Sequence, residues 1–81
     1  MAESTRRELD TLLAILEYPT EHGGELPSLN DLATVLELTK AGVQRHVHAA
    51  QLKGKAELRP GKGWAVTKLG RAELKRHGMT T

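Results

Sequence analysis

At 81 residues and 8.9 kDa the chain has room for one small domain and for no second domain able to bury its own core. Cysteine is absent, which excludes disulfides and thiolate metal ligands, so an apolar core alone must hold the chain together. Net charge is only +2, but residues 1–39 carry two basic and eight acidic side chains whereas residues 40–81 carry ten basic and two acidic ones. A domain so divided orients itself toward a polyanion.

Thr5 and, three residues on, Glu8 form a capping-box pattern, and Leu9, Leu12, Leu13 and Leu16 follow on one helical stripe. The spacing predicts a helix over about residues 5–18, ended by Pro19. Gly23 and Gly24 mark a flexible connection, and Leu26 is expected in a short extended piece before Pro27. Ser28 reads as the N-cap of a second helix over 29–36, with Asp31 at its positive end and Leu29, Leu32, Ala33 and Leu36 inward. Glu37 and Leu38 make a tight turn. Thr39 then caps a third helix over 40–52, with Val43, Val47 and Ala50 inward.

Beyond Gly54 the period changes to alternation. "AELR" and "WAVT" read as strands joined by the "PGKG" turn, with Leu58, Trp64 and Val66 inward. Thr67 caps a last helix through "KLGRAELKRHG", with Leu69 and Leu74 as its apolar positions and Gly78 as its stop. The expected fold is mainly α with a small β-hairpin, an α+β domain filling residues 1–81. Residues 5–77 are expected to be ordered, with tails frayed at 1–4 and 78–81. The amino terminus has no apolar signal core, and no window approaches the ~20 apolar residues of a membrane span, so the expectation is a soluble cytoplasmic protein with no membrane partner.

Two short helices joined by a tight turn and followed by a basic hairpin have the layout of a winged helix-turn-helix. The segment "PSLNDLATVLELTKAGVQRHVHAAQLKG" resembles the winged-helix part of bacterial or phage repressors of the LexA and MarR type. The likeness rests on Pro27, Ser28, Leu32, Ala33, Leu36, Leu38, Thr39, Val43, Arg45, Val47, Lys53 and Gly54. "TKLGRAEL" is similar to the Thr-x-x-Gly-Arg-x-x-Leu segment that follows the wing in the MarR type. Ala50 stands where that pattern has Leu, and Lys55 and Ala56 replace an apolar pair, so the core under the wing is expected to be thin, with Trp64 in compensation. Gly42, in the first turn of the third helix, is expected to serve a close approach, to the second helix in preference to a DNA backbone.

The resemblance implies a sequence-specific double-stranded DNA-binding protein, a small transcriptional regulator. The stripe Val43, Val47 and Ala50 turns Lys40, Ala41, Gln44, Arg45, His48 and Gln51 outward on the third helix. Gln44 with Arg45 or Lys40 then reads bases, and His48 faces the groove. Ser28, Thr39 and Lys53 hold phosphates, and Arg59 and Lys62 are the contacts of a wing. His46 and His48 sit about 200° apart on a helix, so they cannot share a metal. Gly61 and Gly63 are not followed by the Lys-Ser/Thr of a phosphate loop, so no catalysis, metal or cofactor is expected.

Further expectations concern partners: a homodimer through the last helix, using Leu69, Leu74 and Met79, and a protein partner on the acidic face of the first helix. A winged-helix protein-interaction module and a reader of Z-form duplex remain alternatives. The Z-form readers carry an Asn and a Tyr on the recognition helix and a Pro pair in the wing, where this chain has Gln44, His48 and Gly61-Lys62.

Overall fold

Four hydroxyl side chains, each one residue ahead of a helix, set the helix starts in the computed structural model, which describes residues 5–80. Thr5, Ser28, Thr39 and Thr67 each accept a bond from the backbone N–H three residues on, all at 3.1 Å. Glu8 and Asp31 reach back to their cap residues and complete two capping boxes. Each such cap is worth about 1 kcal/mol. The elements are α1 (Arg6–Glu21), α2 (Leu29–Leu36), α3 (Lys40–Leu52), β1 (Ala56–Arg59), β2 (Gly63–Val66) and α4 (Lys68–Arg76). The result is a mainly helical α+β domain with one two-stranded antiparallel sheet among the described residues.

α2 and α3 have the bounds their sequence patterns predict, whereas α1 runs past Pro19. Proline removes the bond to the carbonyl of Ile15 and its ring crowds that carbonyl, but leaves the bonds of the following residues available. The extra turn is held beyond it by Gly24 N–H donating to the Pro19 carbonyl at 2.8 Å and by the Tyr18 and His22 rings, stacked at 3.7 Å. The extended piece expected at Leu26 is not a strand. A single ladder-like bond, from Trp64 N–H to the Pro27 carbonyl at 2.9 Å, ties that segment to β2.

The core draws Leu9, Leu12 and Ile15 from α1, Leu32 from α2, Val43, Val47 and Ala50 from α3, Ala56, Trp64 and Val66 from the hairpin, and Leu74 from α4. The register pairs Ala56 with Val66 and Leu58 with Trp64, so all four share one face of the hairpin. Leu58 is nevertheless 51% exposed, against its expected inward position. Trp64 lies beside Pro27 and fills the core, while Leu58 on the other strand overhangs it. Trp64 is buried in the same cluster as the small Ala50 and Ala56.

Two glycines are required by close approach. At Gly63, with φ of 135°, a Cβ would lie 2.7 Å from the Pro27 carbonyl oxygen, and at Gly70 it would overlap the carbonyl oxygen of Lys55. That second contact rotates α4 so that Gly70, Glu73 and Leu74 face inward. Of the two apolar positions of α4, Leu74 is thereby buried and Leu69 turned out, at 55% exposure. Gly42 serves no helix-helix approach, because the one heavy atom within 4 Å of an added Cβ is the cap hydroxyl of Thr39. Within the tail expected to fray from residue 78, Met79 packs on the core and its N–H donates to the Leu74 carbonyl at 3.0 Å. The fraying expected at 1–4 and at Thr81 lies outside the described residues.

A methyl group at Gly70 must push back the α3–β1 connection. Gly70→Ala should therefore lower unfolding free energy by about 1–3 kcal/mol, the usual cost of overpacking. Gly78→Ala, where nothing lies within 4 Å of the added atom, isolates the cost of positive φ alone. Denaturant midpoints of the two variants check the comparison; a Gly70→Ala protein as stable as the parent would contradict the packing account.

Candidate functional site

α3 is held on one side by the buried Val43, Val47 and Ala50, which pack toward α1 and α2. The opposite side is therefore presented to solvent by geometry. At about 100° per residue, Ala41, Arg45, His48 and Leu52 fall in one row diametrically opposite the buried stripe. All four are exposed, as are Lys40, Gln44 and Gln51 on one flank of that row. The centre of the exposed face is thus Arg45 and His48, with Gln44 beside it. Leu52, 75% exposed, belongs to the same row and was not among the expected site residues. Its spacing of four from His48 carried the signal. His46 is half-buried on the flank away from Gln44.

The joint before α3 is short and fixed. Glu37 adopts the left-handed conformation at φ 56° and ψ 43°, and Leu38 N–H donates to the Ala33 carbonyl at 3.0 Å. A residue with a side chain pays about 1–2 kcal/mol for that conformation. Thr39 and Ser28 head α3 and α2, and both are exposed. Each hydroxyl accepts its capping bond, and that of Ser28 also meets the Asp31 carboxylate.

Lys53 has a different setting from the one expected of a phosphate ligand. Its ammonium donates to both oxygens of the buried Glu8 carboxylate, at 2.8 and 3.1 Å. Two residues on, Lys55 reaches the buried Glu73 at 3.5 Å, and Glu73 also meets Arg76 and His77 from its own helix. Burial by itself pushes the Glu8 carboxyl up. The hydrogen bonds from Lys53 and the Thr5 backbone, with the charges of Lys53 and Lys55, outweigh it and leave Glu8 below its ordinary 4.5.

At the hairpin end Lys62 is exposed, and its N–H donates to the Arg59 carbonyl at 2.9 Å across the turn. Arg59 pairs with Glu57 at 3.2 Å, with both side chains about half exposed, so the pair contributes little and leaves the guanidinium able to exchange partners. In the first turn of α2, Asp31 lies below its ordinary carboxylate value, first through the backbone N–H of Ser28, then the Ser28 side chain and the hydroxyl of Tyr18. Among the described residues no three His, Asp or Glu side chains gather as a metal site, and no helix is long and apolar enough to cross a membrane.

The structure thus brings Lys40, Ala41, Gln44, Arg45 and His48 onto one helix face with the Thr39 cap at its head. Arg59 and Lys62 sit together on the hairpin, Ser28 heads the neighbouring helix, and Lys53 turns to Glu8. No model of a known protein family matches the sequence, and no curated protein matches it.

Because the folded pKa of Glu8 is depressed, its contribution to stability is complete above the ordinary value of 4.5 and is lost as pH falls through the folded value. Glu8→Gln should be less stable than the parent at neutral pH, and the gap should close as the solution is acidified. Unfolding free energies across that range test the sign; a gap independent of pH would remove the ion pair from the account.

Proposed function

We propose that the chain is a winged helix-turn-helix protein that binds double-stranded DNA sequence-specifically and acts as a small transcriptional regulator. One observation carries the reading: the solvent-facing side of α3 presents Lys40, Ala41, Gln44, Arg45 and His48 with no acidic residue anywhere in the helix. α1, which carries Asp10, Glu17 and Glu21 on its outer side, packs behind α3 and keeps those acids off this face. An exposed helix of this composition matches the major groove in both size and charge.

In this reading α3 enters the major groove and the hairpin lies along the backbone or in the minor groove. Arg45, at the centre of the face, pairs with a guanine, Gln44 beside it pairs with an adenine, and the Ala41 methyl meets a thymine methyl. Lys40, Thr39 and Ser28 position phosphates, and His48 lies deeper along the groove. Arg59 and Lys62 follow the adjoining backbone. Lys53 leaves the set of direct contacts and becomes the residue that holds the end of α3 against α1.

Binding should weaken steeply with salt, with log affinity falling by about 0.9 per phosphate neutralised for each unit of log salt. Arg45→Ala should cost about 1–3 kcal/mol on the preferred sequence and relax selection at one base pair. Lys62→Ala should weaken all duplexes alike and reduce the salt slope by about 1. Lys53→Ala should lower stability and leave the salt slope unchanged. Selection from a random duplex pool, followed by titrations with the three variants, separates these roles. Absence of duplex binding at low salt would end the proposal.

A further inference from the structure

Two poles of the molecule carry charges that their own helix dipoles oppose. The last two turns of α1 hold Glu17 and Glu21, both exposed, with no basic residue in the final turn, and the exposed Glu25 follows. A helix C-terminus is the negative end of its dipole, and two acids four residues apart repel. α4 has the reverse arrangement. It begins at Lys68 with no acid in its first turn, and Lys68, Arg71 and Lys75 form an exposed outward row. Lys68 and Arg71 lie at the positive end of the dipole, which disfavours cations, whereas Lys75 extends the row into the last turn. None of these six side chains forms an ion pair among the described residues. Glu17, Glu21, Lys68 and Arg71 thus oppose their own dipoles with no ion pair in compensation.

The poles lie at opposite ends of α1. Glu8 is tied to Lys53, the start of α4 is tied to the same connection by Thr67 Oγ1 donating to the Gly54 carbonyl at 2.6 Å, and Gly70 abuts Lys55. The other end of α1 is tied to α2 through the Tyr18 hydroxyl and Asp31. Sixteen residues of helix span about 24 Å, in a molecule measuring 30 × 27 × 23 Å.

We propose that these poles dock on each other between copies of the chain, the C-terminal end of α1 in one copy against the outward face of α4 in the next. The second copy is the occupant because the chain itself supplies both complementary surfaces, and the contact relieves both dipole conflicts at once. Leu69, 55% exposed beside the cationic row, adds apolar area to the contact. Symmetric pairing of α4 with α4 would set Lys68, Arg71 and Lys75 against themselves, and Leu74 and Met79 are already used in the core of their own copy. The contact joins two different surfaces head to tail, so it is heterologous and builds rings or open chains of copies. It uses no residue of the α3 face and does not rest on the duplex-binding reading.

Sedimentation of the full chain without DNA tests the proposal, over a range of protein concentrations at about 0.01 M and about 1 M salt, where the screening length falls from about 30 to about 3 Å. At low salt the mean mass should grow with concentration beyond that of a dimer; at high salt it should return to that of the monomer. Glu17→Lys/Glu21→Lys and Lys68→Glu/Arg71→Glu should each weaken association by about tenfold or more. Mixing the two variants should restore it, since each then offers the charge the other needs. Circular dichroism confirms folding, and Gln at the same positions serves if a reversed pair fails to fold, with weakened association expected again. A monomer at every concentration in low salt, a mixture that stays monomeric, or variants that associate like the parent would each overturn the proposal. So would Lys68→Glu/Arg71→Glu weakening duplex binding with association unchanged, which would give those cations to a nucleic-acid backbone.

Discussion

The connection from α3 to β1 is held by two buried carboxylates reaching it from opposite sides, Glu8 on α1 and Glu73 on α4, each gripping a lysine on either side of Gly54. A buried carboxylate left unpaired costs several kcal/mol, so each acid requires its lysine to be in place. The pairs therefore constrain position more than they add stability. Lys53 sets how the end of α3 meets α1, Lys55 sets how the hairpin begins beneath α4, and Gly54, at φ 75°, turns the chain between them. The orientation of the exposed α3 face and the place where the hairpin emerges both follow from this joint.

The hairpin has a second anchor at its far strand. Trp64 fills the core and bonds to the Pro27 carbonyl, one residue before the Ser28 cap of α2. Gly63 lets the two backbones close to a distance that any side chain would prevent. The hairpin is thus fixed to the connection after α3 at one end and to the start of α2 at the other. Two elements that offer cations to solvent, α3 and the hairpin, are held in one frame by backbone contacts and two ion pairs. A rigid frame is what a surface needs if it is to match the fixed spacing of a polyanion.

Legibility varied with the range of the interaction. The four caps, the bounds of α2 and α3 and the hairpin turn depend on residues three or four apart, and these were all readable from the chain. Leu58 was expected inward but is half exposed, because period alone cannot say where the core ends. Pro19 was misread as a stop, since local steric rules do not count the bonds and ring stacking that hold the turn beyond it. Lys53 looked like another cation of a basic surface. The carboxylate it meets lies 45 residues away in the chain, a separation that spacing rules do not span.

By itself the sequence determined the order and caps of the helices, the division of charge between its halves and the outward placement of Lys40, Gln44, Arg45 and His48, because all of these follow from local hydrogen bonding and helical period. Only the tertiary structure decided which lysines stay exposed and which neutralise buried acids, where β2 meets Pro27, and how α4 is turned by the carbonyl of Lys55 at Gly70. Those outcomes depend on which distant groups share a low-dielectric interior, and burial makes their pairing obligatory in a way that no local pattern records.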